Sequence, residues 1–447
     1  MKKKILILGG SAQQVVAIEA AKELGYYTVL CDGYPDNPGQ KVCDKFYPIP
    51  TTCKEDVLEV AMTEKVDGVF AYSITPAALT AAYVAEQMGL PGNPYKAVEI
   101  LCNKDKFRQY LEDNDFATTF AKGYDSADAE KQALVDGEFR FPVMVKPIAS
   151  TESRGVTKVC SWDDWNRSVR GALSISGVHR VLLEEYVERQ HKYIIGGDIF
   201  VQDGQVVVWG LLNCHRDYDV APLVSIGKSF PLQVKNKDKV LPNIHETVQR
   251  LIDKIGYKNG PMNLEVIVDM KGQVFIIDIA PRAGSNMIPD FLSMIHRRNF
   301  VELAVETAMG KETDATLRTD KRCCYATHNI YSKRNGYLRD VHFSEILEPY
   351  VIDKTLFKKK GDKIEYFDNS SKAIGILFLK FPNEETMNRI LEHITSYYVI
   401  MLDSDKDMAP TMRPEIAPEP KYIPTNTEKK STKDRFAQPK SGLISRF

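Results

Sequence analysis

The chain has 447 residues, 43% hydrophobic and 27% charged, with 59 Lys+Arg against 60 Asp+Glu and a net charge of −1. That length holds two to four domains of ordinary size, and the charge balance excludes nucleic acid as the main partner, because phosphate backbones call for a basic surplus. No apolar run approaches the ~18 residues of a transmembrane helix, so a membrane partner is excluded as well. The basic start Lys2-Lys3-Lys4 leads into only Ile5 to Leu8 before Gly9-Gly10, too short a run for a secretory leader. The eight cysteines include no C-x-x-C pair, and the expected location is the cytoplasm.

In chain order, residues 4–8 form an apolar run that reads as a buried parallel strand. Helical spacing follows from Gln13 to Leu24, then a strand over 27–31, a helix over 54–64, a strand over 68–72 and a helix over 76–88. This alternation predicts a doubly wound α/β domain. After a helix over 104–113, strand patterns predominate at 142–146, 156–160, 180–187, 191–201, 205–213, 262–269 and 273–279. Helices are expected over 162–173, 243–255 and 299–309, a change to α+β organisation that implies a change of domain. Beyond residue 312, a strand over 373–380 and a helix over 384–396 predict a smaller mixed domain. Residues 406–447 carry six prolines, and nine Lys/Arg less five Asp/Glu leave a charge of +4, which reads as a poorly ordered arm.

The turn Gly9-Gly10-Ser11 with Asp32 after the second strand invites a dinucleotide reading. The G-x-G-x-x-G spacing is broken, however, by Ser11 and Gln14. An NAD(P)-dependent enzyme therefore stays as an alternative. A tight strand-to-helix turn is the simpler account.

The chemistry concentrates between residues 104 and 290. Lys104 opens a helix, and Lys146 ends the strand Phe141-Pro-Val-Met-Val-Lys146. A loop of small and hydroxyl residues follows, through Ser150, Ser153, Arg154 and Gly155, whose N–H groups suit phosphate oxygens. Val181-Leu-Leu-Glu184-Glu185-Tyr186-Val187 is a strand ending in acids. Met262 to Asp269 and Gln273 to Ala280 form a hairpin turning at Met270-Lys271-Gly272, which sets Glu265 and Asp278 at comparable height on adjoining strands. Two facing carboxylates repel unless a cation lies between them, and oxygen ligands suit Mg²⁺. His215 and Arg216 end a strand-like run, and Arg216 suits a substrate carboxylate or a surface ion pair with Asp217 or Asp219. Asn286 lies near a helix start, within reach of the same substrate.

Taken together, Lys104, the loop from Lys146 to Val156, Leu183-Glu-Glu-Tyr-Val187 and Glu265…Asp278-Ile-Ala-Pro-Arg282 resemble the ATP-grasp superfamily. The likeness is to the branch of biotin carboxylase, carbamoyl-phosphate synthetase and the carboxylate–amine ligases. The resemblance implies a Rossmann-like pre-ATP-grasp domain over 1–103 and an ATP-grasp fold over 104–311 with a lid over 117–187. It also implies a small C-terminal α+β domain over 312–405. It implies ATP and Mg²⁺ or Mn²⁺ as cofactors. Lys104 and Lys146 would hold phosphates, and Ser153, Arg154 and Gly155 would close over them. Glu184, Glu185 and Val187 would meet the adenine, Glu265 and Asp278 the metal. Arg282, with Lys146, would act in catalysis. Small-molecule carboxylate and amine substrates and a homodimer are the implied partners. Ala280 departs from the family's asparagine ligand, Lys192 stands where a ribose-binding acid is usual, with Glu188 or Asp198 as substitutes, and these changes keep open a catalytically reduced, regulatory ATP-binding protein.

Overall fold

Short apolar strands alternating with helices build the first layer. β1 (Lys4–Leu8), β2 (Tyr27–Cys31), β3 (Lys45–Tyr47) and β4 (Gly68–Ala71) pair in parallel in the order β3-β2-β1-β4. Helices α1 (Val15–Glu23), α2 (Lys54–Glu64) and α3 (Thr75–Met88) pack on them. Burial of β1 on both faces explains its unbroken Ile-Leu-Ile-Leu run. The computed structural model describes residues 2–125, 127–148, 155–176, 180–220, 223–319 and 322–403. The arm over 406–447 lies outside them, as do Ser150, Ser153 and Arg154.

Helices α4 (Tyr95–Cys102) and α5 (Lys104–Asp113) lead into a four-stranded antiparallel sheet. Its strands are β5 (Ala121–Tyr124), β6 (Val143–Pro147), β7 (Thr157–Val159) and β8 (Val181–Glu185), in the order β5-β8-β6-β7. Helices α6 (Ala127–Val135) and α7 (Trp165–Ile175) accompany it. Alternation along β6 sends Val143 and Val145 into this unit's own core and turns Met144 and Lys146 the other way.

The larger sheet has eight strands in the order β13-β12-β9-β10-β11-β14-β18-β16. Its first part comprises β9 (Ile194–Gln202), β10 (Gln205–Arg216), β11 (Ser225–Phe230), β12 (Gly260–Val268) and β13 (Val274–Ala280), with helices α8 (Lys237–Ile255), α9 (Ile288–His296) and α10 (Phe300–Ala308). β14 (Cys324–Ile330) pairs with β11 and so carries the sheet past residue 312 without a break. β15 (Gly336–Phe343), β16 (Val351–Leu356), β17 (Lys363–Ile364), β18 (Gly375–Phe381), α11 (Glu384–Glu392) and β19 (Tyr398–Asp403) complete the described chain, with β17-β15-β19 as a separate small sheet.

Each face of the large sheet has its own core. Met262, Leu264, Val266 and Val268 of β12 join Val248, Leu251 and Ile252 of α8 on one side. Glu265, between them in the alternation, points to the other. Helix α8 begins at Lys237 rather than near 243 and carries Pro242 inside it, the largest boundary error of the sequence reading among the expected helices. No described helix is long and apolar enough to cross a membrane.

Candidate functional site

A cleft opens between the four-stranded sheet and the large one. Apolar side chains form its slot: Met144, Val156 and Val187 from one side, Ile194, Leu223, Ile267 and Ile277 from the other, with Tyr186 beside them. Its charged lining is Lys104, Lys146, Glu184, Glu185, Arg189, Arg216, Glu265 and Asp278. An apolar slot with convergent charges suits a ligand with a flat ring and an anionic tail. Lys158 Nζ lies 3.7 Å from the Tyr186 ring centroid, which fixes one wall.

The cations are held from below by Glu184, which is 2% exposed. Its carboxylate accepts from Arg108 Nε at 2.6 Å, from Thr119 Oγ1 at 2.7 Å and from Lys146 Nζ. Burial opposes its ionisation, but Arg108 and Lys146 outweigh that effect and hold its pKa down to about 2. Lys104 sits in the first turn of α5, where burial pushes its ammonium below the ordinary lysine value while Asp278 pulls the other way. The Glu184 side chain is thus a structural hub as well as part of the strand end beside the slot. Arg108 was not singled out from sequence; its spacing of four from Lys104, on one helix face, is the signal that was there.

The expected pairing is present: Glu265 lies directly opposite Asp278. Strict alternation alone would have turned Asp278 the wrong way, because Val274 and Ile276 face the α8 core. A β-bulge between the pairs Glu265↔Asp278 and Val266↔Ile276 makes Ile277 the extra residue, so Ile277 and Asp278 both line the cleft while Ile279 returns to the core. Two hard oxygen donors side by side fit a divalent cation such as Mg²⁺ or Mn²⁺. Among the described residues no third His, Cys, Asp or Glu joins them in a metal-sized cluster, and Ala280 supplies no donor.

Gly196 faces Glu265 across β9 and β12. A Cβ at Gly196 would lie 2.8 Å from Cys214 Sγ and 3.2 Å from Glu265 Cγ. Gly196→Ala is therefore expected to lower stability by about 1–3 kcal/mol, read as a lower urea midpoint at unchanged slope. On the same face Lys228, 7% exposed, donates to Cys214 Sγ at 2.8 Å. Burial opposes its charge, yet Cys214 and Glu265 raise its pKa above the ordinary value. Arg216 Nη2 lies 3.5 Å from Glu265 Oε2, and Arg216 Nε is buried with no hydrogen-bond partner among the described residues.

The other expected residues are placed as follows. Gly155, at φ +71°, and Glu185 and Val187 border or line the cleft, whereas Ser153 and Arg154 lie outside the described residues. His215 does not line it; its Nε2 meets Ser229 Oγ at 2.8 Å, and burial, with Lys192 nearby, pushes its pKa down to about 3. Arg282 is 9% exposed and also stands outside the lining: Nε donates to Thr75 Oγ1 at 3.2 Å and Nη1 to Ala283 O at 2.9 Å. Asn286 donates its backbone N–H to Gln13 Oε1 at 2.8 Å, and its Oδ1 is buried with no partner among the described residues. Ser73 Oγ donates to Gly284 O at 2.8 Å, so the loop after β4 does meet the 282–286 segment. Asp198, buried, accepts from Gly284 N and Asn263 Nδ2, each at 2.8 Å, and burial raises its pKa to about 6; it is a structural carboxylate rather than a cleft residue.

The N-terminal turn offers little to a dinucleotide. Asp32 accepts from Gly10 N at 2.7 Å and Tyr34 N at 2.8 Å, which uses both oxygens. The side chain of Gln14 lies over Gly9, with its Nε2 where a Cβ would come within 2.3 Å. The glycines serve the turn itself.

Known proteins share sequence and fold with this chain. Residues 139–290 match the family described as ATP-grasp domain. The chain is 24% identical over 329 residues to the carbamoyl phosphate synthase large chain of Pasteurella multocida strain Pm70, covering 70% of this chain and 30% of that one. It thus spans less than a third of that relative's length. The L-amino acid ligase of Bacillus licheniformis superposes with a TM-score of 0.75 at 19% identity, over 90% of this chain and 99% of that one. The biotin carboxylase domain of the Hydrogenobacter thermophilus 2-oxoglutarate carboxylase, a domain dimer in complex with MgADP, ADP and bicarbonate, gives 0.69 at 19% identity, over 90% and 91%. Residues 139–290, which take in strands of both the small antiparallel sheet and the large one, thus match an ATP-grasp domain, and the fold around them is shared with these structures.

Proposed function

We propose that the cleft binds Mg·ATP and that the protein is a carboxylate–amine ligase. The observation that carries this reading is the Glu265–Asp278 pair set beside Lys104 and Lys146 at the charged end of one apolar slot. Adenine would lie in the slot against the backbone of Glu184 to Val187. Lys104 and Lys146 would hold phosphate oxygens, with Ser153, Arg154 and Gly155 closing over them. Glu265 and Asp278 would hold the metal, whose chemistry there is neutralisation of phosphate charge. A substrate carboxylate oxygen attacks the γ-phosphorus and ADP leaves. The nitrogen of an amine then attacks the acyl carbon, phosphate leaves, and the amine gives up a proton.

Arg282 is the proposed partner of the acyl phosphate, a guanidinium two positions past the end of β13, the strand that carries Asp278. Arg216, which lines the cleft, and Lys228 would receive the acceptor carboxylate, since both are cations beside Glu265. His215 would support Arg216 from the next position, and Asn286, with its unpartnered Oδ1, would face the second substrate. The unit over 1–103 is proposed as the Rossmann-like pre-ATP-grasp domain, 104–311 as the grasp unit with its lid over 117–187, and 312–405 as the small C-terminal domain. A homodimer is the proposed assembly.

ADP release by the full chain with Mg·ATP, screened over amino acids and other small carboxylates singly and in pairs, tests the reading. At least one carboxylate–amine pair is expected to raise ADP release well above the rate with ATP alone. Tight Mg·ATP binding with no ADP release from any pair would favour a regulatory ATP-binding protein instead.

A further inference from the structure

Asp278 reaches the cleft only because β13 bulges, and the bulge has an identifiable support. At Ile277 the strand carries one residue more than its partner, which leaves backbone carbonyls out of register with β12. Unmet carbonyls in a buried place cost free energy, so such a kink persists only where something else bonds to them. Arg108 supplies those bonds. Its Nη1 donates to Ile276 O at 3.1 Å and its Nη2 to Ile277 O, while Nε donates to Glu184 at 2.6 Å. The residue is 5% exposed and lies on α5, one turn beyond Lys104. It is absent from the cleft lining.

We propose that Arg108 is the positioning residue of the metal site: its guanidinium clamps the Ile276–Ile277 bulge and thereby turns the Asp278 carboxylate beside Glu265. This inference rests on the Mg·ATP reading of the cleft. The fork geometry is what the task requires. One planar guanidinium meets two successive carbonyls and a carboxylate at once, whereas a lysine at the same place is a point donor on a flexible stem. Because the third bond goes to β8, the same side chain also ties the metal-bearing strand to the end of the small sheet that covers the cleft.

The test is a double-mutant cycle on Mn²⁺ affinity, measured by the paramagnetic signal of free Mn²⁺ on the full chain saturated with the non-hydrolysable analogue AMP-PNP. Arg108→Lys and Arg108→Met are each expected to weaken Mn²⁺ binding about tenfold or more, the usual range for groups that orient a metal ligand. In an Asp278→Asn background the same substitutions are expected to change it less than about twofold, because the carboxylate that Arg108 aims is gone. A merely structural role would lower thermal stability in both backgrounds and leave the two Mn²⁺ effects equal. Equal effects, or no effect of Arg108→Lys in the wild-type background, overturn the proposal. Arg108→Lys keeps a cation beside Glu184 and serves if Arg108→Met does not fold. Failure of the wild type to bind AMP-PNP at all would instead overturn the Mg·ATP reading, and is read before any variant is made.

Discussion

Replacing Glu265 with glutamine is expected to reduce substrate-dependent ADP release by roughly a thousandfold, about 4 kcal/mol in the barrier. The substitution keeps the shape of the side chain and removes the charge that, with Asp278 opposite it, would hold the metal against the phosphates. A change in the ground state alone would not suffice for this loss. The metal's charge matters most where phosphoryl transfer spreads negative charge over the γ-oxygens. Glu265 faces the buried cations Arg216 and Lys228, so some fall in melting temperature is expected as well, and the rate is therefore read at a temperature where the variant is folded. ADP release by Glu265→Gln at the wild-type rate would sink the assignment of this carboxylate to the metal.

Glu184→Gln is expected to act on the fold rather than first on the chemistry. Arg108 and Lys146, with side chains 6% and 8% exposed, would keep their charges and lose the anion between them. Removing one partner of a buried ionic cluster typically costs about 3–5 kcal/mol, since the remaining charge is left uncompensated. Urea unfolding should show that loss at neutral pH. The pH dependence gives an independent check. The Glu184 carboxyl titrates at about 2 in the folded chain against an ordinary value of 4.5. A depressed carboxyl contributes stability that is present above the unfolded value and is lost as pH falls from there through the folded one. The stability gap between wild type and Glu184→Gln should therefore narrow progressively below about pH 4.5. Parallel stability curves down to the acid limit would show that Glu184 is not the anchor of the two cations.

Much of the site was legible because its chemistry is local. A lysine ending an apolar strand, two acids closing another and an aspartate inside Val-Phe-Ile-Ile-Asp-Ile-Ala are visible without a structure. The pairing of Glu265 with Asp278 expected across the turn at Met270-Lys271-Gly272 is present, but only through a bulge, because the pairs nearer the turn would set Glu265 opposite Ile277. The elements passed over were those without a clean period or punctuation. β11 reads Ser-Ile-Gly-Lys-Ser-Phe and is a strand because it is pinned between β10 and β14. That its Lys228 sits beside Cys214 and Glu265 is visible only once those strands are paired. The helix start expected near Asn286 is there as α9, entered through Asn286 and Met287, both at positive φ.

Other placements went against simple inference. His215 and Arg216 are neighbours in sequence, yet the first bonds to Ser229 outside the cleft while the second lines it. A register shift on β10 falls between the two. Arg282 is close to the segment expected to meet substrate but turns its guanidinium to Thr75 and Ala283. Neither outcome is available from residue type, because both depend on which strand or loop offers the nearer partner.

The sequence by itself determined the order of layers, the apolar strand cores and the identity of the charged groups, since hydrophobic period and residue chemistry are properties of a few consecutive residues. The tertiary structure decided which of those groups meet. Alternation alone would have buried Asp278 beside Ile276; a single extra residue in the ladder turns it out, and Arg108, from a helix 168 positions earlier than Ile276, bonds to the carbonyls exposed by that turn. A bulge carries no sequence mark of its own. Its position is settled by long-range partners for the backbone, and those exist only once the chain has folded.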